Sequence, residues 1–173
     1  MTTDPDYIYH EELTFDISDI GPQLAAPSSV DNVDDLKAFI GTKIDQAYLG
    51  SCTGGRVEDL GIAAHILKDK KIHPNTRFIV VPASQKVFLD AMDKGYIQTL
   101  VQAGATFVTP SCAACLGTHQ GLLASGETCI SSTNRNFPGR MGSTGGGIYL
   151  GSPAAVAAAA LTGVITDPIP YLD

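Results

Sequence analysis

Ala47-Tyr48-Leu49-Gly50-Ser51-Cys52, followed by a helical stripe of Val57, Leu60, Ala64 and Leu67 and then by Thr76-Arg77-Phe78-Ile79-Val80-Val81-Pro82, sets a strand–helix–strand pattern. A short apolar run that ends on glycine and gives way to a 3.6-residue period predicts a strand leading into a helix. The second run is continuous, β-branched and closed by proline, the pattern of a buried strand. Working outward, Ser84 stands where it would cap a helix carrying Val87, Phe88, Ala91 and Met92, with Gly95 at its end. Ile97, Leu100 and Val101 predict another helix, stopped by Gly104. Strands are expected at Thr106 to Pro110, Cys129 to Ser132 and Ile148 to Leu150. Ser152-Pro153 opens a final, alanine-filled helix that Gly163 closes. This alternation predicts an α/β fold, a three-layer α/β/α arrangement with a mostly parallel central sheet and helices on both faces.

Residues 1–44 read differently. Leu13-Phe15-Ile17 alternates like a strand, Gly21-Pro22 and Pro27-Ser28-Ser29 are loop chemistry, and Asp31, Asp34 and Asp35 precede a short helix at Leu36 and Phe39. The segment is expected to be a lead-in and not a core element, with the main domain at 45–173.

Composition limits the function. The 173 residues include 18 acidic and 11 basic ones, a net charge of -7, so no basic surface is available to neutralise nucleic-acid phosphates. With 44% hydrophobic and 17% charged residues the chain is globular. The most apolar stretch, Pro153 to Leu161, is too short to span a membrane. Met1 to His10 is acidic and unlike a signal peptide, so a cytoplasmic protein is expected.

The chemistry centres on Cys52, Cys112, Cys115 and Cys129. Cys52 and the Cys112-Ala113-Ala114-Cys115 pair lie among small residues that let backbone approach a bulky inorganic core. Three thiolates suit a soft metal or an iron–sulfur cluster. Zinc completed by Cys129 or His119, and a thiol-redox pair at Cys112 and Cys115, are the alternatives. Asn134-Arg135-Asn136-Phe137-Pro138-Gly139-Arg140 places two guanidinium forks in one loop, suited to gripping carboxylates. Gly145-Gly146-Gly147 has no following Lys-Ser/Thr and is not a phosphate loop. His10, His65 and His73 show no metal-ligand spacing, and only His119, four residues after Cys115, is kept as a neighbour of the site. Glu58 and Asp59 suit the first turn of a helix. Cys52, Cys112 and the Asn134-Arg135 loop all follow expected strand ends, so they should converge at one sheet edge.

Leu49-Gly50-Ser51-Cys52-Thr53-Gly54-Gly55-Arg56, Pro110-Ser111-Cys112-Ala113-Ala114-Cys115-Leu116-Gly117 and Ser132-Thr133-Asn134-Arg135-Asn136-Phe137-Pro138-Gly139-Arg140 together resemble, in order and spacing, the three motifs of the aconitase superfamily. Gly55-Arg56, Cys115-Leu116-Gly117 and Gly126-Glu127-Thr128-Cys129 resemble most the large subunits of 3-isopropylmalate dehydratase and homoaconitase. Gly54 stands where the first motif usually has Asn. The resemblance implies a [4Fe-4S] cluster held by Cys52, Cys112 and Cys115, with Cys129 outside the ligand set. It implies substrate-carboxylate binding by Arg135 and Arg140, with Asn134 nearby. It further implies a hydro-lyase acting on a small hydroxy acid by dehydration and rehydration, in leucine biosynthesis. A metal-binding scaffold is the non-catalytic alternative; homoaconitate and dimethylmalate-type acids are the alternative substrates. Residues 1–44 then resemble the end of a preceding domain and 45–173 the third, cluster-bearing domain. Such a chain would be inactive without the remaining large-subunit domains and the small, swivelling subunit that carries the family's base.

Overall fold

The computed structural model describes residues 4–173. Five parallel strands form the centre of one sheet: β3 (Gln46–Gly50), β4 (Arg77–Val81), β5 (Thr106–Phe107), β6 (Thr128–Ser131) and β7 (Gly147–Leu150), in the spatial order β7-β6-β3-β4-β5. Beyond β7, β1 (Gln23–Ala25) and β2 (Val33–Asp35) extend the sheet in antiparallel pairing. The sheet is therefore mostly parallel, as expected. β3 is the middle one of the five parallel strands, and all five of its residues are buried.

Side chains of successive strand residues point to opposite faces, which divides the core in two. Ala47, Leu49, Phe78, Val80 and Ile130 belong to the larger core, under α2 (Val57–Leu67), α4 (Tyr96–Ala103) and α5 (Pro153–Thr162). α3 (Gln85–Asp93) packs against α2 and α4. Seven consecutive residues of α5, Ala154 to Ala160, are buried. Their short side chains let this helix press against β3, β6 and α2 at once. The caps are those the sequence suggests. Ser84 Oγ accepts from Val87 N at 3.2 Å, and Ser152 Oγ accepts from Ala155 N at 3.2 Å. Asp59 Oδ2 accepts from Arg56 N at 2.9 Å at the start of α2.

The other face carries Tyr48, Ile79, Cys129 and Ile148. Its cover is a 3₁₀ helix, Ala113–Leu116, with Leu123 and Met141 from ordered loops, where α-helices were expected. Three elements differ from what their patterns suggested. The alternating Leu13, Phe15 and Ile17 form no strand and are all exposed, since no sheet edge lies alongside to complete a ladder. The lead-in nevertheless supplies β1, β2 and two fully buried leucines, Leu24 and Leu36, to the fold. The helix expected at Leu36 and Phe39 is a single 3₁₀ turn. The strand expected from Thr106 to Pro110 stops at Phe107, although Val108 N still donates to Val80 O at 3.0 Å before the chain turns toward Cys112. No helix among the described residues is long and apolar enough to cross a membrane.

At the N-terminal ends of the strands, Arg77 Nη1 and Nη2 donate to the two Glu127 carboxylate oxygens, each at 2.7 Å, while Arg77 Nε donates to Gln46 Oε1 at 3.1 Å. Ala124 N also donates to Glu127 Oε2 at 2.8 Å. These bonds tie β3, β4 and the turn before β6 together, opposite the edge where the cysteine loops emerge. The hydrogen bonds from Arg77 hold the Glu127 carboxyl below its ordinary value near 4.5, against the opposing effect of partial burial. A lowered acid pKa gives stability that is complete above pH 4.5 and lost as pH falls through the folded-state value. Glu127→Gln should therefore cost about 1 kcal/mol or less near neutral pH, because Arg77 is half exposed. It should also flatten the acid limb of a urea-unfolding stability profile; an unchanged acid limb would contradict the assignment.

Candidate functional site

All five parallel strands end at one edge: Gly50 pairs with Val81, Val80 with Phe107, Tyr48 with Ser131 and Ser131 with Leu150. Three loops leave that edge with the residues picked out above. β3 runs directly into a one-turn helix, α1 (Ser51–Gly54), that carries Cys52. The chain after β5 carries Cys112 and, in the 3₁₀ turn, Cys115. The chain after β6 carries Asn134, Arg135 and Arg140.

Gly50 is needed for the first of these turns. It has φ +148°, and a β-carbon there would lie 2.4 Å from Val81 O on the neighbouring strand. The Cys52 thiol is exposed. The second loop is seated from below by Tyr48, a fully buried residue whose hydroxyl donates to Cys112 O at 3.2 Å. Burial first, with a smaller push from the neighbouring Cys115, raises the Tyr48 phenol above its usual range, so it remains a protonated donor. Cys112 is exposed, whereas Cys115 is buried beside Ala113 and Ala114.

The third loop reaches back to the second. Arg140 Nη2 donates to Cys115 Sγ at 3.7 Å, and the guanidinium lies 5.5 Å from the centre of the Phe137 ring. Arg140 Nε is buried without a hydrogen-bond partner. Arg135 and Asn134 are exposed, with Arg135 Nη1 donating to Asn134 O at 2.8 Å. Asn136 anchors the loop from its buried side: its Nδ2 donates to Ala26 O and to Ser29 O, at 2.6 and 2.9 Å. The lead-in thus supports the arginine loop directly. Tyr48 and Asn136 were not singled out as supports by sequence reasoning. Tyr48 read as one of three apolar strand residues, and nothing local marks the reach of its hydroxyl into another loop.

The remaining cysteine behaves differently. Cys129 lies on β6, fully buried, with Gln46 Nε2 3.9 Å from its sulfur. Burial pushes its thiol up to about 12, with only partial relief from Gln46 and Arg77. His119 is exposed, on a residue with φ +69°. Among the described residues no three His, Cys, Asp or Glu side chains are close enough to hold one metal ion. Zinc takes its sulfurs at ~2.3 Å from a single point, so Cys112, Cys115, Cys129 and His119 do not make a zinc site here. A four-iron cluster is a larger group that meets its thiolates at separate corners. The donor set fits it: two exposed thiols, a third beside a guanidinium, and small residues around all three.

Comparison with known proteins places the whole chain. The family model described as the aconitase family (aconitate hydratase) matches residues 1–163. The chain belongs to the aconitase family. It is 50% identical over 169 residues to the protein called 3-isopropylmalate dehydratase large subunit 1 of Methanopyrus kandleri, covering 98% of this chain and 40% of that protein. It is 50% identical over 167 residues to the probable methanogen homoaconitase large subunit of Methanothermobacter thermautotrophicus, covering 96% of this chain and 39% of the relative. To the methanogen homoaconitase large subunit of Methanocaldococcus jannaschii it is 48% identical over 161 residues, covering 93% and 38%. The chain spans about 40% of the length of the curated relatives it matches.

The four thiols should separate by reactivity. In the native metal-free chain near pH 8, iodoacetamide should label Cys52 and Cys112 readily. It should label Cys129 roughly a thousandfold more slowly, from its lower thiolate fraction alone. Mass spectrometry of the labelled peptides reads the order; a Cys129 that labels as fast as Cys52 would contradict its burial.

Proposed function

We propose that this chain carries the iron–sulfur centre of a hydro-lyase of the 3-isopropylmalate dehydratase type, with Cys52, Cys112 and Cys115 as the cluster ligands. The observation that carries this reading is the meeting of three loops at one sheet edge, with exposed Cys52 and Cys112 and with Cys115 beside Arg140. When bound, a [4Fe-4S] cluster with three cysteine ligands supplies a Lewis-acidic iron toward a substrate hydroxyl and carboxylate.

The chain's own residues then have separable tasks. Arg135, exposed at the mouth of the loop, presents a planar fork to a substrate carboxylate. Arg140 braces the Cys115 sulfur through one nitrogen, which leaves other guanidinium donors for a second carboxylate. Asn134, exposed beside Arg135, carries an amide able to hydrogen-bond the substrate hydroxyl or carboxylate. Tyr48 holds the Cys112 carbonyl and so keeps the second loop seated. These arginines supply a local positive field in a chain of net charge -7, which suits a dianionic hydroxy acid.

The substrate class is a small 2- or 3-hydroxy di- or tricarboxylic acid. 3-Isopropylmalate, on a route to leucine, is favoured, with homoaconitate or a dimethylmalate-type acid next. Proton transfer is assigned to partners, the remaining large-subunit domains and a small swivelling subunit. A cytoplasmic setting, where thiols stay reduced, suits four free cysteines.

Anaerobic reconstitution with iron and sulfide should give a brown protein with broad thiolate-to-iron absorption. Cys52→Ala, Cys112→Ala and Cys115→Ala should each abolish or strongly bleach it, and Cys129→Ala should keep it. A colourless reconstituted chain, or a chromophore that survives Cys52→Ala, would overturn the reading.

A further inference from the structure

Cys52 sits in the middle of a turn whose two ends are gripped by one hydroxyl from another strand. Ser132 follows β6 and is buried at 5% exposure. Gly50 N donates to Ser132 Oγ at 3.0 Å, and Ser132 Oγ lies 3.0 Å from Gly54 O and 3.3 Å from Gly50 O, its single proton shared between them. Ser132 N donates to Tyr48 O at 3.0 Å, which fixes the serine itself against β3. The hydroxyl therefore spans the chain from two residues before Cys52 to two residues after it.

The fit leaves no room for a side chain at Gly54. A β-carbon on Gly54 would lie 2.4 Å from Ser132 O and 2.5 Å from both Ser132 Cβ and Oγ. Absence of a side chain at Gly54 is what lets the serine close on the turn, so the motif's departure at this position and the serine opposite it form one packing unit.

We infer that Ser132 is a positioning residue for Cys52, setting the direction in which its thiol leaves the sheet edge. The inference rests on the reading of Cys52 as a cluster ligand, but the grip itself can be measured without a cluster. A serine that only completed the end of the sheet would affect the whole edge. A positioning serine affects Cys52 and spares Cys112, which Tyr48 holds separately.

The test uses the full 173-residue chain with Ser132→Ala, Ser132→Thr and Gly54→Ala. In the metal-free proteins, iodoacetamide labelling of Cys52 and amide exchange across Gly50 to Gly54 are followed, with Cys112 labelling as the internal control. In reconstituted proteins, the rate of cluster loss to a chelator is followed by absorbance. Ser132→Ala should raise Cys52 labelling and local exchange about tenfold and leave Cys112 within about twofold. It should speed cluster loss by a similar factor. Ser132→Thr, which keeps the hydroxyl, should return both toward the parent values. Gly54→Ala should reproduce the Cys52-selective change with Ser132 intact, and it decides the matter if Ser132→Ala does not fold.

Equal shifts at Cys52 and Cys112, or none at either, would overturn the inference. So would faster Cys52 labelling with unchanged cluster loss. A parent chain that takes up no cluster would instead overturn the proposed function, and the labelling arm would still decide whether Ser132 holds the turn.

Discussion

The arrangement depends on the parallel register of β3 between β4 and β6. Because Gly50, Val81 and Ser131 end their strands on the same side, the turn with Cys52 and the loop with Arg135 and Arg140 leave from adjacent points. β5, ending level with Val80, delivers the Cys112 loop from the far side of β4. No residue of β3 is exposed, so the strand is held on both faces and at both edges. Its direction cannot drift without disturbing the cores on either side. The proposed cluster would need that fixity, since its thiolates would come from segments sixty residues apart in sequence.

The polar interactions divide the molecule between its two edges. At the N-terminal ends of the strands, the Arg77–Glu127 pair and Gln46 clamp backbone elements together and leave little for a ligand. At the C-terminal ends the donors face loops. Tyr48, Asn136 and Arg140 each reach from one segment to another, to Cys112, to Ala26 and Ser29, and to Cys115. The buried, unpartnered Nε of Arg140 lies at this second edge.

Much of this was legible from residue patterns alone. The continuous run Phe78 to Val81, the capped helices after Ser84 and Ser152, and the parallel order followed from periodicity and end signals that act over a few residues. Convergence of the cysteine and arginine loops followed from strand ends and topology. Less legible were features decided by distant partners. Leu13, Phe15 and Ile17 alternate well but find no neighbouring strand, whereas the unremarkable Gln23–Ala25 pairs with both Val33–Asp35 and β7. The layer above Tyr48 carries no helical period because it is a 3₁₀ turn and two loops. The supporting contacts of Tyr48 and Asn136 cross 64 and 110 residues, beyond the reach of any local signal.

In the proposed centre, Cys52, Cys112 and Cys115 hold three corners of a four-iron cluster and the fourth has no protein thiolate. Mössbauer spectroscopy of the chain reconstituted with ⁵⁷Fe tests it most directly. Roughly a quarter of the iron signal should come from a distinct site that shifts when a hydroxy dicarboxylate is added, while the rest stays in place. Four equivalent, thiolate-like irons that ignore the added acid, or a component that disappears with Cys129→Ala, would contradict it.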